Sequence, residues 1–183
     1  MKKVAVFFAT GFEEVEALTT VNILRRAEIE AVMVSVAETL LVKGARGIVV
    51  QAEKFLADLD FNTVDMIVLP GGHPGYVNLE ACAALMEQVD SFHAQKKPLA
   101  AICGASAILG RRGILSGSVA CVFPGMEGDL AGATVVNEPA VWDGHLITGR
   151  GMGCSVDFAL AIVAYFKGFD YADQMAEKIV FKK

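Results

Sequence analysis

Short, nearly continuous apolar runs alternate along this chain with longer segments of helical period. Lys3–Phe8, Val64–Leu69 and Pro98–Ile102 are three such runs. An apolar run of this length without polar alternation is typical of a strand that is buried on both faces, as in a parallel sheet covered by helices. The alternation therefore predicts an α/β fold: a three-layer sandwich with a mostly parallel sheet and helices on both of its faces.

The other predicted elements fit the same layout. Two antiparallel excursions are expected, one from Leu40–Val42 and Ile48–Gln51 and one within Val141–Thr148, where Asp143-Gly144 forms a tight turn. No linker, repeat or low-complexity segment divides the chain, so we expect residues 1–183 to form a single domain. The remaining predicted strands and helices are Glu13–Ala27, Ala31–Ala37, Tyr76–His93, Ser118–Phe123, Thr134–Val136, Asp157–Phe166 and Tyr171–Phe181.

Composition excludes several classes of function. The chain has 183 residues and a net charge of −5, and its basic residues are scattered, which leaves no electrostatic footprint for nucleic acid. No apolar stretch is long enough to span a bilayer, and acidic residues soon follow the first apolar run, so that run is predicted to be a strand and not a secretory signal. The four cysteines lack zinc-site spacing and are too few for a disulfide scaffold. We therefore expect reduced thiols, a cytoplasmic location, and no metal or other cofactor.

Cys103 ends one of the apolar runs and is followed at once by Gly104, Ala105 and a helical segment. Strand, sharp turn and helix form the nucleophile elbow that lifts a reactive side chain out of a parallel sheet. The start of the following helix is expected to lower the pKa of the Cys103 thiol. The alternative is a cysteine that acts only as a small buried hydrophobe. On sequence pattern alone, both interpretations stand.

Three acidic residues, Glu13, Glu14 and Glu16, open the first predicted helix, directly after the first strand. Complementation of the helix dipole is a sufficient explanation for Glu13 and Glu14. Glu16 lies three residues after Glu13 and can face a different direction from its neighbours, and a buried carboxyl at that position would have a raised pKa. It could then give a proton to Cys103 or to a substrate.

Backbone amides are the predicted oxyanion-binding groups. Gly71-Gly72 follows a second apolar strand, and its lack of side chains gives the backbone close access to a group above Cys103. The N–H groups of Gly72 and Gly104 are therefore the candidate oxyanion-hole donors. An ordinary strand-to-helix turn is the alternative for Gly71-Gly72, and the chain carries no glycine-rich nucleotide-binding motif.

The histidines offer no clear general base. His73 borders the predicted site and could equally point to solvent. His93 is expected near the solvent-facing end of a helix, and His145 beside the Asp143-Gly144 turn. A Cys-His dyad is consequently not predicted.

Together these motifs resemble the ThiJ/PfpI superfamily, and within it the branch that holds a parkinsonism-associated protein deglycase and a bacterial chaperone. The resemblance implies a flavodoxin-like fold, a homodimer, and a site made from Glu16, Cys103 and the Gly72 and Gly104 amides. It also implies that Arg26 and Arg46 lie near the dimer interface and the site entrance. The motifs that carry it are Gly11–Glu16, Val68–Gly72, Ala100–Gly104, Val141–Gly144, Thr148–Gly153 and Asp157–Ile162.

This chain departs from the family pattern at four positions. Phe123 stands before Pro124, where a family member with a site histidine carries that histidine, and Gly104 follows the cysteine where other branches have histidine. Ser106 and Met152 each replace a proline. Without either imidazole, peptidase and amidotransferase chemistry is not expected, and Glu16 alone must move protons.

Three hypotheses remain open at the level of the sequence. The first is an enzyme in which Cys103 attacks a small glyoxal, or its adduct on an amine or thiol of a glycated protein. The second is a redox sensor and redox-dependent chaperone that works through oxidation of Cys103. The third is a protein of this fold whose site no longer reacts, with an ordinary thiol pKa.

Overall fold

A seven-stranded sheet forms the centre of the molecule in the computed structural model, which describes residues 1–181. Its strand order is β10-β11-β7-β6-β1-β2-β5, and every neighbouring pair is parallel except β10–β11. These strands are β1 (Lys3–Phe8), β2 (Glu30–Ser35), β5 (Lys54–Phe55), β6 (Met66–Leu69), β7 (Leu99–Ile102), β10 (Ala140–Asp143) and β11 (Leu146–Gly149). Two small sheets are formed by β3 (Leu41–Lys43) with β4 (Val49–Gln51), and by β8 (Val119–Ala120) with β9 (Thr134–Val135).

Helices cover both faces of the central sheet, as the apolar runs predict. Side chains of β1 alternate between two hydrophobic clusters: Val4, Val6 and Phe8 contribute to one, and Ala5 and Phe7 to the other. The first cluster contains α1 (Glu14–Arg26), α5 (Ser155–Lys167) and α6 (Phe169–Lys178), and the second contains α2 (Gly75–Ala81), α3 (Ala83–Ala94) and α4 (Ser106–Arg111). The predicted three-layer α/β sandwich is therefore confirmed. No helix within residues 1–181 is long and apolar enough to cross a bilayer.

Several predicted boundaries are wrong. The segment predicted as one helix, Tyr76–His93, is two, because the backbone at Cys82 is extended (φ −80°, ψ 92°). The segment Ser118–Phe123 keeps only a two-residue strand, which pairs with β9 outside the central sheet. Strand β5 was not predicted, since two residues are too few to show an alternation pattern.

The strand order places a crevice above the neighbouring strands β1 and β6. From β1 the chain proceeds to β2 on one side, and later to β6 on the other. The loops that leave the carboxyl ends of β1 and β6 therefore diverge, which is the usual position of a ligand site in an open α/β sheet. The loop that follows β7 reaches the same edge.

Candidate active site

Cys103 lies at a sharp turn between β7 and α4. Its φ is +62°, a left-handed conformation that is uncommon for a residue with a Cβ. The turn continues as a 3-10 segment, Cys103–Ala105, before α4 begins at Ser106. This arrangement is a nucleophile elbow, and it holds a half-buried thiol at the carboxyl edge of the sheet.

Glu16 reaches the same place from the first turn of α1. Glu13 caps this helix, because its Oε2 accepts a hydrogen bond from the Glu16 amide at 2.7 Å. The Glu16 side chain is completely buried, and its Oε2 accepts a hydrogen bond from the Gly71 N–H at 2.8 Å. Its Oε1 has no hydrogen-bond partner among residues 1–181. One carboxyl oxygen thus remains available to exchange a proton.

The glycines after β6 let the carboxyl and the cysteine approach each other. A Cβ on Gly71 would lie 2.7 Å from both the Cys103 Cβ and the Glu16 Oε2. Gly72 has a φ of +89°, and a Cβ there would overlap the backbone of Phe12. A side chain on Gly71 would therefore force Cys103 and Glu16 apart, and one on Gly72 would push the turn away from the loop that follows β1, which explains the Gly-Gly sequence physically.

The Gly72 and Gly104 amides both face the Cys103 sulfur, where they favour its ionised form. Gly71 does not share this arrangement, because its N–H is already bound to Glu16. Both glycine amides named from the sequence are close enough to the sulfur to affect the pKa of Cys103, and their role as oxyanion donors stays a prediction. Fixed amides of this kind stabilise negative charge that develops on a reacting oxygen.

Electrostatics couple the two titratable groups. Burial raises the pKa of Glu16 to about 7, against the opposing effect of the Gly71 hydrogen bond. Burial, followed by the negative charge of an ionised Glu16, raises the pKa of the Cys103 thiol. The lowered pKa expected from the helix start is therefore wrong: α4 has only six residues, and burial outweighs the amides of Gly104 and Gly72. The pair resists carrying two negative charges at once.

A cavity of about 450 Å³ opens beside the elbow. Its polar wall includes Arg46, which comes from the loop between β3 and β4, and His73, which follows Gly72. Its size is within the range of small-molecule sites. The residues that line it are Glu13, Glu16, Arg46, Gly72, His73, Tyr76, Cys103, Gly104, Phe123, Met126 and Met152.

Comparison with known proteins identifies the family. Residues 2–165 match the model of the DJ-1/PfpI family. The chain belongs to the DJ-1/PfpI family. It is 31% identical over 185 residues to the Parkinson disease protein 7 homolog of Danio rerio, an alignment that covers 99% of this chain and 98% of the relative. Over 172 residues it is 27% identical to a Caenorhabditis elegans protein named glutathione-independent glyoxalase DJR-1.2, covering 93% of this chain and 91% of that protein.

Two plant relatives are considerably longer. The chain is 33% identical to protein DJ-1 homolog B and 32% identical to protein DJ-1 homolog A, both of Arabidopsis thaliana. These alignments cover 96% and 99% of this chain but only 40% and 47% of the plant proteins. The chain therefore spans less than half the length of these two curated relatives.

Solved structures of this family share the fold over the full chain. The C103A mutant of a DJ-1 superfamily protein from Salmonella typhimurium superposes with a TM-score of 0.93 at 36% identity, and each chain is fully covered. Oxidized Toxoplasma gondii DJ-1 superposes with a TM-score of 0.95 at 30% identity, again with each chain fully covered. These similarities agree with the central sheet and the helical layers described above.

The structure separates the predicted entrance residues. Arg46 and His73 line the cavity, whereas Arg26 lies outside it at the end of α1. The Arg26 Nε donates a hydrogen bond to Asn22 Oδ1 at 2.8 Å. Ten residues of helix, about 15 Å, separate Arg26 from Glu16.

Glu14 lies in the first turn of α1, where dipole complementation is predicted for it, and it also makes a contact that the sequence does not predict. Its side chain is buried, and its Oε1 accepts a hydrogen bond from the Arg46 amide at 2.7 Å. A Cβ on Gly44 would overlap the Glu14 carboxyl group. Glu14 thus ties the loop that carries Arg46 to the start of α1.

Two cavity residues, Tyr76 and Met126, were missed in the sequence. Tyr76 lies one residue into α2, close to the Gly-Gly turn, and this proximity was the available signal. Met126 follows β8 in an irregular segment that carries no periodic pattern. Only the fold brings that segment to the Cys103 edge.

Proposed function

We propose that this protein is a cysteine-dependent enzyme that acts on α-oxoaldehydes, or on their adducts with amines or thiols, and releases a 2-hydroxy acid. The observation that carries the proposal is the close approach of the Cys103 thiol to the Glu16 carboxyl and to the Gly72 and Gly104 amides. The relative named as a glutathione-independent glyoxalase supports this class of chemistry. Protection against reactive carbonyl compounds would be the corresponding cellular role.

The first step is addition of sulfur to the aldehyde. The Glu16 carboxylate takes the proton from the Cys103 thiol as the sulfur bonds to the aldehyde carbon. The C=O electron pair moves onto oxygen, where the Gly72 and Gly104 amides hold the negative charge. A general base with a pKa near 7 suits this role at neutral pH.

The later steps move protons and add water. The oxyanion takes the proton back from Glu16, which gives a hemithioacetal. Glu16 then transfers the hydrogen of the former aldehyde carbon, as a proton, to the neighbouring carbonyl carbon, and the product is a thioester of a 2-hydroxy acid. Water hydrolyses the thioester, which releases the acid and restores the thiol. The net change is addition of one water molecule to the α-oxoaldehyde.

Methylglyoxal consumption by purified variants tests the proposal. Cys103→Ala should reduce consumption to the rate of the buffer blank, and lactate should no longer accumulate. Cys82→Ala is the matched control, because Cys82 lies at the junction of α2 and α3 and does not line the cavity. Undiminished methylglyoxal consumption by Cys103→Ala would refute the proposed cysteine-dependent activity.

A redox sensor with chaperone activity is the second candidate. The unpartnered Glu16 Oε1 next to the sulfur favours it, because a protonated carboxyl could donate a hydrogen bond to a sulfinate oxygen. The relative described as oxidized DJ-1 is consistent with such chemistry. Mild peroxide should add the mass of two oxygen atoms to the wild-type protein and none to Cys103→Ala. A wild-type mass that mild peroxide leaves unchanged would exclude the redox-sensor function.

We also infer that two copies of the chain form a homodimer in a reducing, cytoplasmic compartment. Val15 on α1 and Ile48 and Val49 on the neighbouring hairpin are exposed apolar side chains, which is typical of an interface. All four cysteines are unpaired, which supports the reducing compartment. Sedimentation of the wild type and of Val49→Lys tests the dimer, since a charge in an apolar interface should shift the population to monomer.

A further inference from the structure

Much of the cavity wall beside Cys103 is apolar. Tyr76, Phe123, Met126 and Met152 contribute to it. Phe123 is 47% exposed and Met152 is 52% exposed, and neither belongs to the two hydrophobic clusters of the core. Their exposure at the mouth of a cavity, apart from the core, indicates a surface that a ligand covers.

Each of the two aromatic rings of this wall lies beside a glycine. A Cβ on Gly104 would lie 2.7 Å from a ring carbon of Tyr76, so this ring packs directly on the elbow. A Cβ on Gly151 would lie 3.5 Å from the Phe123 ring, which therefore rests near the loop that follows β11. The two rings thus lie beside backbone from two separate loops, one after β7 and one after β11.

The size of the cavity exceeds what the smallest α-oxoaldehydes need. Three-carbon methylglyoxal would leave most of the 450 Å³ empty. An aryl or extended alkyl group would fill it and displace water from the aromatic faces. The thioethers of Met126 and Met152 can adapt to such a group, because unbranched, polarizable side chains conform to irregular apolar shapes.

We propose that the cavity selects α-oxoaldehydes that carry an aryl or extended apolar substituent, such as phenylglyoxal, over methylglyoxal. This inference rests on the function proposed above. The aldehyde carbon meets the Cys103 sulfur, and the substituent lies against Phe123 and Met152. The reaction steps are those already given, and the product from phenylglyoxal is mandelate.

The ratio of kcat/KM for phenylglyoxal to that for methylglyoxal measures the selection. In Phe123→Ala, and separately in Met152→Ala, we expect this ratio to fall about tenfold, in line with the loss of an apolar contact in a specificity pocket. Comparison of ratios cancels the difference in intrinsic reactivity between the two aldehydes. Phe169→Ala is the matched control: Phe169 is an equally aromatic and more exposed side chain outside the cavity, and its removal should leave the ratio within about twofold.

Product binding separates this inference from the proposed function. Cys103→Ala protein is titrated with mandelate and with lactate, and binding is followed by NMR. Tighter binding of mandelate that disappears in Cys103→Ala/Phe123→Ala supports the apolar subsite even if the wild type consumes neither aldehyde. Consumption of both aldehydes with a ratio unchanged in Phe123→Ala and Met152→Ala would overturn the subsite and leave the proposed function intact. Equal binding of the two acids would likewise overturn it.

Discussion

At the scale of single residues, Glu16 determines how the site responds to pH. Its carboxyl is the one group of the pair that titrates near neutrality, because burial brings its pKa to about 7. Cys103 remains protonated through this range, since burial and an ionised Glu16 both raise the pKa of its thiol. The site thus has a base of suitable strength without a histidine.

This titration predicts a pH profile. If ionised Glu16 is the base that activates Cys103, kcat/KM for an α-oxoaldehyde should rise about tenfold from pH 6 to pH 8, following one ionisation near 7. Glu16→Gln should be inactive across this range and show no such step. Steady-state rates at fixed ionic strength give the pH profile of kcat/KM for both proteins. A flat wild-type profile would show that Glu16 is not the base.

Gly72 adopts a left-handed backbone conformation where the loop after β6 packs against the loop after β1. Gly72→Ala should destabilise the protein by about 3 kcal/mol or more, because φ is +89° and the new Cβ would meet the backbone of Phe12 and Gly11. Gly144→Ala is the matched control: φ is also positive, but no atom lies within 4 Å of its Cβ position, so a cost of about 1 kcal/mol is expected. Urea unfolding measures both. Equal costs would contradict the steric explanation.

At the scale of elements, the hairpin formed by β3 and β4 is attached to the site by a few hydrogen bonds. The Arg46 amide donates to Glu14, the Ala45 amide donates to the Phe12 carbonyl, and the Gly11 amide donates to the Lys43 carbonyl. The position of Arg46 at the cavity therefore depends on the start of α1. The hairpin itself is short and half exposed, and its own strands contribute little to that position.

Removal of the anchor should loosen this hairpin locally. In Glu14→Ala, the partly buried Arg46 amide loses its acceptor, and the loss of one such hydrogen bond costs about 1 kcal/mol. We expect faster amide hydrogen exchange at Arg46, with core amides of β1 and β6 exchanging at a nearly unchanged rate. Glu87→Ala, at an exposed position of α3, is the control and should leave the Arg46 amide protected. An unchanged rate of hydrogen exchange at the Arg46 amide in Glu14→Ala would contradict the claim that Glu14 anchors the hairpin.

At the scale of the whole molecule, the two ends of the sheet carry titrating groups that change the stability of the fold in opposite directions as pH rises. Glu16 lies at the carboxyl edge. At the other edge, His93 Nδ1 and His145 Nε2 are 3.2 Å apart, and the His145 carbonyl accepts a hydrogen bond from the Leu99 amide at the start of β7. His93 lies in the last turn of α3, as predicted, and its partly exposed ring also contacts His145. Burial, then the charges of His93 and Lys96, lower the pKa of His145.

These shifts predict opposite slopes of stability with pH. The folded state holds the Glu16 proton up to about pH 7, whereas the unfolded state loses it near 4.5, so this group stabilises at low pH and its contribution of about 3 kcal/mol is lost as pH rises between those values. His145 is held neutral in the folded state, so its contribution is lost as pH falls below 6.5.

Unfolding free energies from urea titrations between pH 4.5 and 8 separate the two contributions. Relative to the wild type, Glu16→Gln should lose less stability as pH rises from 4.5 to 7. His145→Gln should lose less stability as pH falls below 6.5. Wild-type and variant curves that run parallel would contradict the corresponding assignment. The groups that face the histidine pair, Lys96 and Asp90, remain in place in both variants.

The sequence by itself determined the layers of the fold and which loops meet at the carboxyl edge of its sheet. Apolar runs without alternation can be buried only between two covering layers, which fixed β1, β6 and β7 as strands of a parallel sheet. Small residues after β7 allowed only a tight turn at Cys103. Because parallel strands end at one edge, Glu16 and Gly72 were also expected near the sulfur. These inferences depend on local pattern and on topology rules, both of which the chain displays directly.

Only the tertiary structure decided the properties that depend on neighbours distant in sequence. The raised pKa of Cys103 reflects burial and the charge of Glu16, which outweigh the short helix that follows. Glu14 became an anchor because a loop more than thirty residues away supplies the amide that it accepts from. Tyr76, Phe123 and Met126 form one wall although no period links them. Burial, electric field and cavity shape are sums over the whole fold, so no single segment of the sequence contains them.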